Sequence, residues 1–164
     1  MKRPKQDPGK NKPDAYAKAL GLLVRREQSE RELETKLSQG GYARGEARTA
    51  IDSLKSRALQ SDSRFAELLV RSRASQGYGP RRIVAELRSH GIADAEIAAA
   101  IANQECDWAE RAQRQLLRRF GRKPASDIKE RGRRAAFLLR RGFDASTVSA
   151  ITRADVGDPG DEFD

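Results

Sequence analysis

The chain has little of what an enzyme active site needs. Its 164 residues include one cysteine, Cys106, and one histidine, His90, so few pairs of nucleophile and base can be formed. The phosphate-binding pattern G-x-x-x-x-G-K-[ST] does not occur. We therefore predict a binding protein without catalytic activity, cofactor, metal or small-molecule substrate. A metal-dependent nuclease, built from carboxylates that the sequence does not locate, is the enzymatic alternative.

The chain also lacks a long apolar run. The longest, at 97–102, has six residues, whereas a membrane-spanning helix needs about 20. The basic residues at the start of the chain are not followed by the apolar stretch of an export signal. A lone cysteine cannot form an internal disulfide and is typical of a core residue in a reducing compartment. We expect a cytoplasmic protein that has no membrane partner.

Positive charge, in contrast, is abundant and unevenly distributed. The chain has 33 Lys and Arg against 24 Asp and Glu, which gives a net charge of +9. Net charges by segment are +4 for 1–13, +1 for 14–62, zero for 63–108, +9 for 109–154 and −5 for 155–164. Because cations that neutralise phosphates release counterions, an excess of this kind favours binding to nucleic acid. We predict that DNA contacts the segment 109–154.

Apolar residues recur at helical spacing from about 14 to 153 and predict nine helices and no strands. Asp14 is the predicted N-cap of the first helix, and Ser29 with Glu32 forms the capping-box pattern at the second. Pro80 is expected at the first position of the fifth helix. The segments 1–13 and 155–164 contain proline and glycine, lack this periodicity and are predicted to be disordered tails.

The helical pattern repeats at a spacing close to fifty residues. The matched positions are Leu37, Leu87 and Leu138; Gly41-Tyr42, Gly91-Ile92 and Gly142-Phe143; and Ile51, Ile101 and Ile151. Each of these glycines is predicted to end a helix in the left-handed conformation that glycine adopts at little cost. The sequence thus predicts an all-α fold of three tandem three-helix repeats, at 14–62, 63–108 and 109–154, in an elongated, curved array.

Two helices carry further local predictions. Phe65, Leu68 and Leu69 are expected on the apolar face of the fourth helix. Gly132 falls inside the eighth helix, where glycine costs up to about 1 kcal/mol relative to alanine. We expect an interruption or a bend in the helix at this position.

The third repeat supplies the candidate contact residues. Between Glu110 and Arg141 there are twelve Lys or Arg and three acids. Arginine binds phosphate or carboxylate through two parallel hydrogen bonds, so the segment suits DNA or an acidic protein groove; solvation of the helix faces is the alternative. The residues predicted to bind DNA or an acidic protein groove are Arg111, Arg114, Arg118, Arg119, Arg122, Lys123, Arg133, Arg134, Arg140 and Arg141.

The residues 77–82 form a second candidate site. Gly79 and Pro80 shape a turn into a helix, and Arg81 and Arg82 occupy its first turn, where the helix dipole disfavours cations. Tyr78, Arg81 and Arg82 therefore either complete the turn or contact a partner. The acidic segment 155–164 likewise has two interpretations: it aids solubility, or it folds back on the basic repeat and competes with DNA.

Several short motifs follow one another along the chain: DSRFA at 62–66, GYGPRRI at 77–83, Glu86-Leu87, Gly91-Ile92 and LLRRGF at 138–143, with Tyr16-Ala17 and Leu33 in the first repeat. In this order and spacing they resemble the bacterial RecX family, over about 14–153. The resemblance implies a regulator of the RecA recombinase, acting in DNA repair, recombination and the SOS response. Such a protein docks in the groove of RecA filaments on single-stranded DNA, damps ATP hydrolysis and strand exchange, and limits filament growth. One departure is Ser61-Asp62, where the family usually has paired acids.

Two other kinds of DNA-binding protein remain as alternatives. One binds DNA without regard to sequence. The other is a helix-turn-helix regulator, because the second and third helices of each repeat are joined by a glycine turn. The predicted third helix of repeat two, at 94–105, has no Lys or Arg, and that of repeat three has only Arg153. A base-reading helix is therefore not indicated.

Overall fold

The computed structural model describes residues 12–154, and within this range the chain forms nine α-helices and no strand. The prediction of an all-α chain of nine helices is confirmed; the predicted tails lie outside the described residues, apart from Lys12 and Pro13. None of the described helices is long and apolar enough to span a bilayer. The helices are α1 Ala15–Arg25, α2 Glu30–Gln39, α3 Arg44–Ser56, α4 Asp62–Ser75, α5 Pro80–Ser89, α6 Asp94–Asn103, α7 Trp108–Phe120, α8 Ile128–Arg141 and α9 Ala145–Ala154.

The chain divides into two compact units after Phe65. In the first unit, α1, α2 and α3 pack together around leucine and isoleucine side chains that are fully buried. The predicted repeat residues Leu33, Leu37 and Ile51 belong to this core, together with Leu54. Asp14 caps α1 as predicted, because its Oδ1 accepts a hydrogen bond of 2.7 Å from the backbone N–H of Ala17.

Polar side chains at the start of α4 stabilise the first unit. Ser61 caps α4, since its Oγ accepts a hydrogen bond of 3.2 Å from the backbone N–H of Arg64. Asp62 Oδ1 instead accepts from the backbone N–H of Glu30, at 2.8 Å, and so satisfies a free donor at the N-terminus of α2. It also accepts from Gln60 Nε2. One carboxylate thus connects segments that lie more than thirty residues apart in the chain.

In the second unit, α5 packs against α6, and α7, α8 and α9 pack together. The buried side chains of α4 are those of Phe65, Ala66, Val70 and Ala74, the last three spaced four residues apart. The prediction for Phe65 is confirmed. The prediction for Leu68 is wrong: its side chain is 45% exposed, because the alanine and valine positions define the packed face. The predicted residue Leu69 is half-buried.

A glycine ends the second helix of each repeat in the same way. At the end of α8, the backbone N–H of Gly142 donates to Leu139 O at 2.9 Å and that of Phe143 to Leu138 O at 3.2 Å. These two bonds define a Schellman motif. The same two bonds recur at Gly41 and Gly91, and the φ angles of the three glycines are +74°, +78° and +90° in chain order. The predicted left-handed conformation is confirmed at all three positions.

Within the second unit, the turn between α4 and α5 lies directly against the turn between α8 and α9. Gly79 N–H donates to Arg141 O at 2.9 Å, and Arg81 N–H donates to Gly142 O at 3.0 Å. A Cβ on Gly79 would lie 2.4 Å from the backbone of Gly142, and a Cβ on Gly142 would lie 2.5 Å from the Cβ of Arg82. The two turns can approach this closely only because both positions are glycine.

Gly132 does not interrupt α8. The helix continues from Ile128 to Arg141, so the prediction of an interruption is wrong. The packing of α8 against α7 and α9 stabilises the helix across this position. A Cβ on Gly132 would have no other atom within 4 Å.

The two glycines of α8 are therefore predicted to respond in opposite ways to the same change. Gly132→Ala should raise the free energy of unfolding by ~0.5–1 kcal/mol, because alanine loses less backbone entropy in a helix. Gly142→Ala should lower it, because alanine is strained at a φ of +90° and its Cβ would collide with Arg82. Urea unfolding of the two variants measures both changes. Equal effects of the two substitutions would contradict the packing described here.

Candidate nucleic-acid interface of the third repeat

The helices α7 and α8 and the segment between them carry the candidate contact residues. Capping residues determine where each helix begins. Asp107 Oδ1 accepts from Glu110 N–H at the start of α7, and Asp127 Oδ1 accepts from Glu130 N–H at the start of α8. The helices contact each other through Phe120 and Phe137, whose ring centroids are 5.6 Å apart in an edge-to-face arrangement. Arginines occupy the last turn of both helices, where the dipole favours cations.

Six of the predicted contact residues are exposed and form no ion pair within residues 12–154. We call them the basic surface: Arg118, Arg119, Arg122, Lys123, Arg133 and Arg140. Arg133 and Arg140 lie on the same side of α8, because they are seven residues, or about two turns, apart. Positive charge without neighbouring carboxylates is free to bind an anionic partner.

Arg114 belongs to the same segment but has a partner. Its guanidinium lies 2.5 Å from Glu110, one helical turn earlier, and both side chains are more than half exposed. Exposed ion pairs of this type contribute little to stability. Arg114 can therefore exchange Glu110 for a stronger anionic ligand.

The prediction that Arg134 contacts a partner is wrong. Its side chain is only 3% exposed and its Nη2 lies 2.7 Å from Glu130 Oε1. The guanidinium also lies over the ring of Phe120, 5.3 Å from the centroid. Arg134 faces the α7 helix because it occupies the packed side of α8, four residues before the buried Leu138. Its charge is used inside the repeat and is not available to a ligand.

Arg111 and Arg141 hold the second and third repeats together. Arg111 Nη1 donates to Ala74 O, and Arg141 Nη1 donates to Gln76 O, each at 3.0 Å. Both acceptors lie at the C-terminal end of α4, where the last carbonyl groups have no partner inside the helix. These two arginines therefore have a structural role, although Arg141 remains half-exposed.

The structure brings the second candidate site next to the third repeat. The guanidinium of Arg82 lies 4.4 Å from the ring centroid of Tyr78, and that of Arg141 lies 5.3 Å from the same centroid. Cation–π contacts of this length are attractive. Arg81 is exposed, and its backbone N–H donates a hydrogen bond to Gly142 O. Tyr78 and Arg82 thus adjoin Arg141, and the two predicted sites form one region.

Three arginines line a surface depression in this region. We call it the junction depression: Gln76, Gln115, Arg118, Arg119, Phe137 and Arg141. None of its lining residues is acidic. Sequence reasoning missed Gln76 and Gln115, because nothing in the local pattern marks them. The position of Gln115 depends on a tertiary contact: Gly77 has a φ of +82°, and a Cβ on it would lie 2.3 Å from the Gln115 amide.

A neighbouring depression has a different charge balance. It is lined by Arg73, Gln76, Tyr78, Arg82 and Glu86. Arg73 donates two hydrogen bonds to Glu86, of 2.6 and 2.8 Å, and this contact lowers the pKa of Glu86. Glu86 thus neutralises one arginine of this depression, whereas no acidic residue lines the junction depression. Within residues 12–154, no group of three His, Cys, Asp or Glu side chains is arranged to hold a metal ion.

These features define a class: a tandem-repeat helical protein whose final repeat presents uncompensated arginines. Three family models match it in chain order, described as the first, second and third three-helix domains of RecX, at residues 15–54, 61–101 and 105–152. The chain belongs to the RecX family of regulatory proteins. The resemblance inferred from the sequence is confirmed.

Relatives from two bacteria match 86% of the chain. The regulatory protein RecX of Xanthomonas citri is 45% identical over 141 residues, which cover 86% of this chain and 87% of the relative. That of Stenotrophomonas maltophilia strain K279a is 46% identical over 141 residues, or 86% of each chain. Both matches extend across the repeats of this chain.

Solved structures share the fold. A crystal structure of a regulatory protein RecX superposes with a TM-score of 0.72 at 24% identity, over 85% of this chain and 70% of that one. The crystal structure of RecX from Lactobacillus salivarius gives a TM-score of 0.72 at 23% identity, over 85% and 93% of the two chains. Three tandem three-helix repeats are therefore the fold of this chain.

The Glu130 carboxylate gives a testable pH dependence. Hydrogen bonds from the backbone N–H of Ser126, from Arg134 and from the Ser126 hydroxyl lower the pKa of Glu130 from 4.5 to about 2. A lowered pKa stabilises the fold fully above pH 4.5, and this contribution is lost as the pH falls towards 2.

We predict that Glu130→Gln flattens the fall of the unfolding free energy between pH 4.5 and 2. Ser126→Ala, which removes only the hydroxyl donor, should have a smaller effect in the same direction. Urea unfolding at several pH values measures both. A pH profile of Glu130→Gln parallel to that of the unchanged protein would refute this role for Glu130.

Proposed function

We propose that this protein binds RecA filaments on single-stranded DNA and inhibits the ATP hydrolysis, strand exchange and filament growth of the recombinase. Its relatives carry the name regulatory protein RecX, and the function is the one that the family resemblance implies. The observation that supports contact through the third repeat is the basic surface, which has no compensating carboxylate within residues 12–154. We assign the contact to the segment 109–154.

Arginine suits a partner that consists of both DNA and protein. A guanidinium group forms paired hydrogen bonds with phosphate as readily as with carboxylate. Arg133 and Arg140 on α8 and Arg118 and Arg119 on α7 provide such groups on two packed helices. In this proposal the surface contacts the filament while the buried Arg134 keeps the repeat folded.

Sequence-independent DNA binding is the second candidate function, and the same basic surface favours it. A sequence-specific regulator is less well supported, because α6 has no Lys or Arg and begins with the acidic residues Asp94 and Glu96. In α9 the only basic residue is Arg153. Base reading in the major groove depends mainly on Arg, Lys, Asn and Gln. We propose that DNA contact here involves the phosphate backbone.

We further propose where the protein acts and in which cellular process. A regulator of recombination on chromosomal DNA acts in the bacterial cytoplasm, where a single free cysteine such as Cys106 stays reduced. We place the activity in DNA repair and the SOS response. In this role the protein acts by binding and requires no cofactor of its own.

A matched pair of charge reversals tests the proposal. Arg133→Glu with Arg140→Glu changes the basic surface, whereas Arg31→Glu with Arg71→Glu removes the same charge from exposed positions on α2 and α4. For the first pair, the concentration that half-inhibits RecA ATP hydrolysis on single-stranded DNA should rise by roughly tenfold or more, since each lost charge contact is worth about 1 kcal/mol. The second pair should inhibit as the unchanged protein does.

Filament length, followed by electron microscopy in the same reactions, gives an independent readout. The unchanged protein and the α2/α4 pair should shorten RecA filaments, and the α8 pair should not. Inhibition by the α8 pair at the same concentration as the unchanged protein would refute contact through this surface. A chain that binds single-stranded DNA but never affects RecA would support the second candidate.

A further inference from the structure

We infer that the junction depression binds one phosphodiester group of a nucleic-acid strand. This inference rests on the proposed function, because it names the chemical group that the third repeat would receive. It depends on three properties of the depression: the convergence of guanidinium groups, the fixed position of Arg141, and a neutral amide held in place by Gly77.

The first property is the charge around the depression. Arg118, Arg119 and Arg141 all line it, and no carboxylate does. In contrast, Arg73 faces Glu86 and Arg88 faces Asp94. Three like charges around one depression repel one another. A bound anion removes that repulsion, so the depression is suited to an anionic ligand.

The second property is the fixed position of Arg141. Its Nη1 donates to Gln76 O at 3.0 Å, and its guanidinium lies 5.4 Å from the ring centroid of Phe137 and 5.3 Å from that of Tyr78. Nη1 also donates to Gly77 O at 3.4 Å. This nitrogen is therefore used for anchoring, and the N–H groups on Nε and Nη2 are the donors left for a ligand. Because the side chain is already ordered, it loses less conformational entropy when an anion binds.

The third property is the position of Gln115. All three terminal atoms of its amide group lie within 2.5 Å of where a Cβ of residue 77 would be. The amide therefore packs against the Cα of Gly77 in space that no other residue type would leave open. A primary amide donates hydrogen bonds to phosphate oxygens without adding charge. Gln115 thus adds a neutral donor to the guanidinium groups.

The number of donors favours phosphate over carboxylate. A carboxylate has two oxygens, and a single guanidinium fork can occupy both of them. A phosphodiester adds two ester oxygens, and the strand carries another charge at each following nucleotide. Arg122, two residues beyond the end of α7 and exposed, is available to the next phosphate. A nucleic-acid strand therefore uses the depression and its surroundings more completely than an acidic side chain does.

A substitution that conserves charge distinguishes a specific phosphate site from nonspecific electrostatic attraction. Arg118→Lys with Arg119→Lys keeps the net charge but removes the planar forks, and Arg31→Lys with Arg71→Lys is the matched control on exposed positions of α2 and α4. The probe is a fluorescently labelled oligothymidylate bound by the full chain. The first pair should bind about tenfold more weakly, through the loss of charge-assisted hydrogen bonds. The control should bind as the unchanged protein does.

Salt dependence and a neutral variant complete the test. Because lysine still neutralises phosphate, the slope of log K against log salt should stay the same in the first pair. Gln115→Met, which keeps the shape of the side chain but removes the amide, should weaken binding by ~3-fold or more. Thermal unfolding of each variant confirms that it is folded.

The outcomes are distinct. Unchanged oligothymidylate affinity of the Arg118→Lys, Arg119→Lys pair overturns the inference, because a diffuse field would then explain binding. Polyglutamate serves as a second probe. If the same pair loses affinity for polyglutamate but not for oligothymidylate, the inference is also overturned, because the ligand would then be a protein carboxylate. If the pair loses oligothymidylate affinity yet inhibits RecA ATP hydrolysis normally, the phosphate site stands and the proposed function does not act through it.

Discussion

The close approach of two turns in the second unit is the contact on which the candidate site depends. Gly79 and Gly142 allow the backbones of these turns to form two hydrogen bonds at distances that a Cβ on either residue would block. This contact places Gln76 and Tyr78 of the second repeat beside Arg141 of the third. The candidate site is therefore a property of two repeats packed together, because neither repeat contains all its residues.

The arginines of the third repeat serve two purposes that their sequence does not distinguish. Arg111, Arg134 and Arg141 hydrogen-bond to protein oxygens and hold helices in place. Arg118 and Arg119, in contrast, remain exposed without a carboxylate partner in the described range. Mutual repulsion of such groups opposes folding slightly, and an anionic ligand reverses that effect. Reversing the charge of Arg134 would therefore test stability, whereas reversing the charge of its exposed neighbour Arg133 tests binding.

Sequence reasoning predicted the fold well because the signals that specify it are local. Helical periodicity and the recurrent glycine followed by an apolar residue depend on neighbouring residues only. They correctly predicted the three-helix repeats and the left-handed glycines at the helix ends. Local patterns gave wrong predictions where tertiary packing determines the outcome: Leu68 is exposed, and α8 continues through Gly132. Charge counting located the basic repeat but could not tell that Arg134 faces inwards. Gln115 was not predicted as a site residue, because only its tertiary contact with Gly77 places it in the site.

The most direct test of the account is to observe the junction depression while the strand binds. Full-length protein labelled with ¹⁵N, titrated with oligothymidylate, reports on the side-chain amides of Gln76 and Gln115 and on the Nε–H groups of Arg118 and Arg119. The account predicts that these resonances shift the most and saturate together, at a single dissociation constant. Shifts confined to α6, α9 or the first repeat, with these four side chains unaffected, would contradict it.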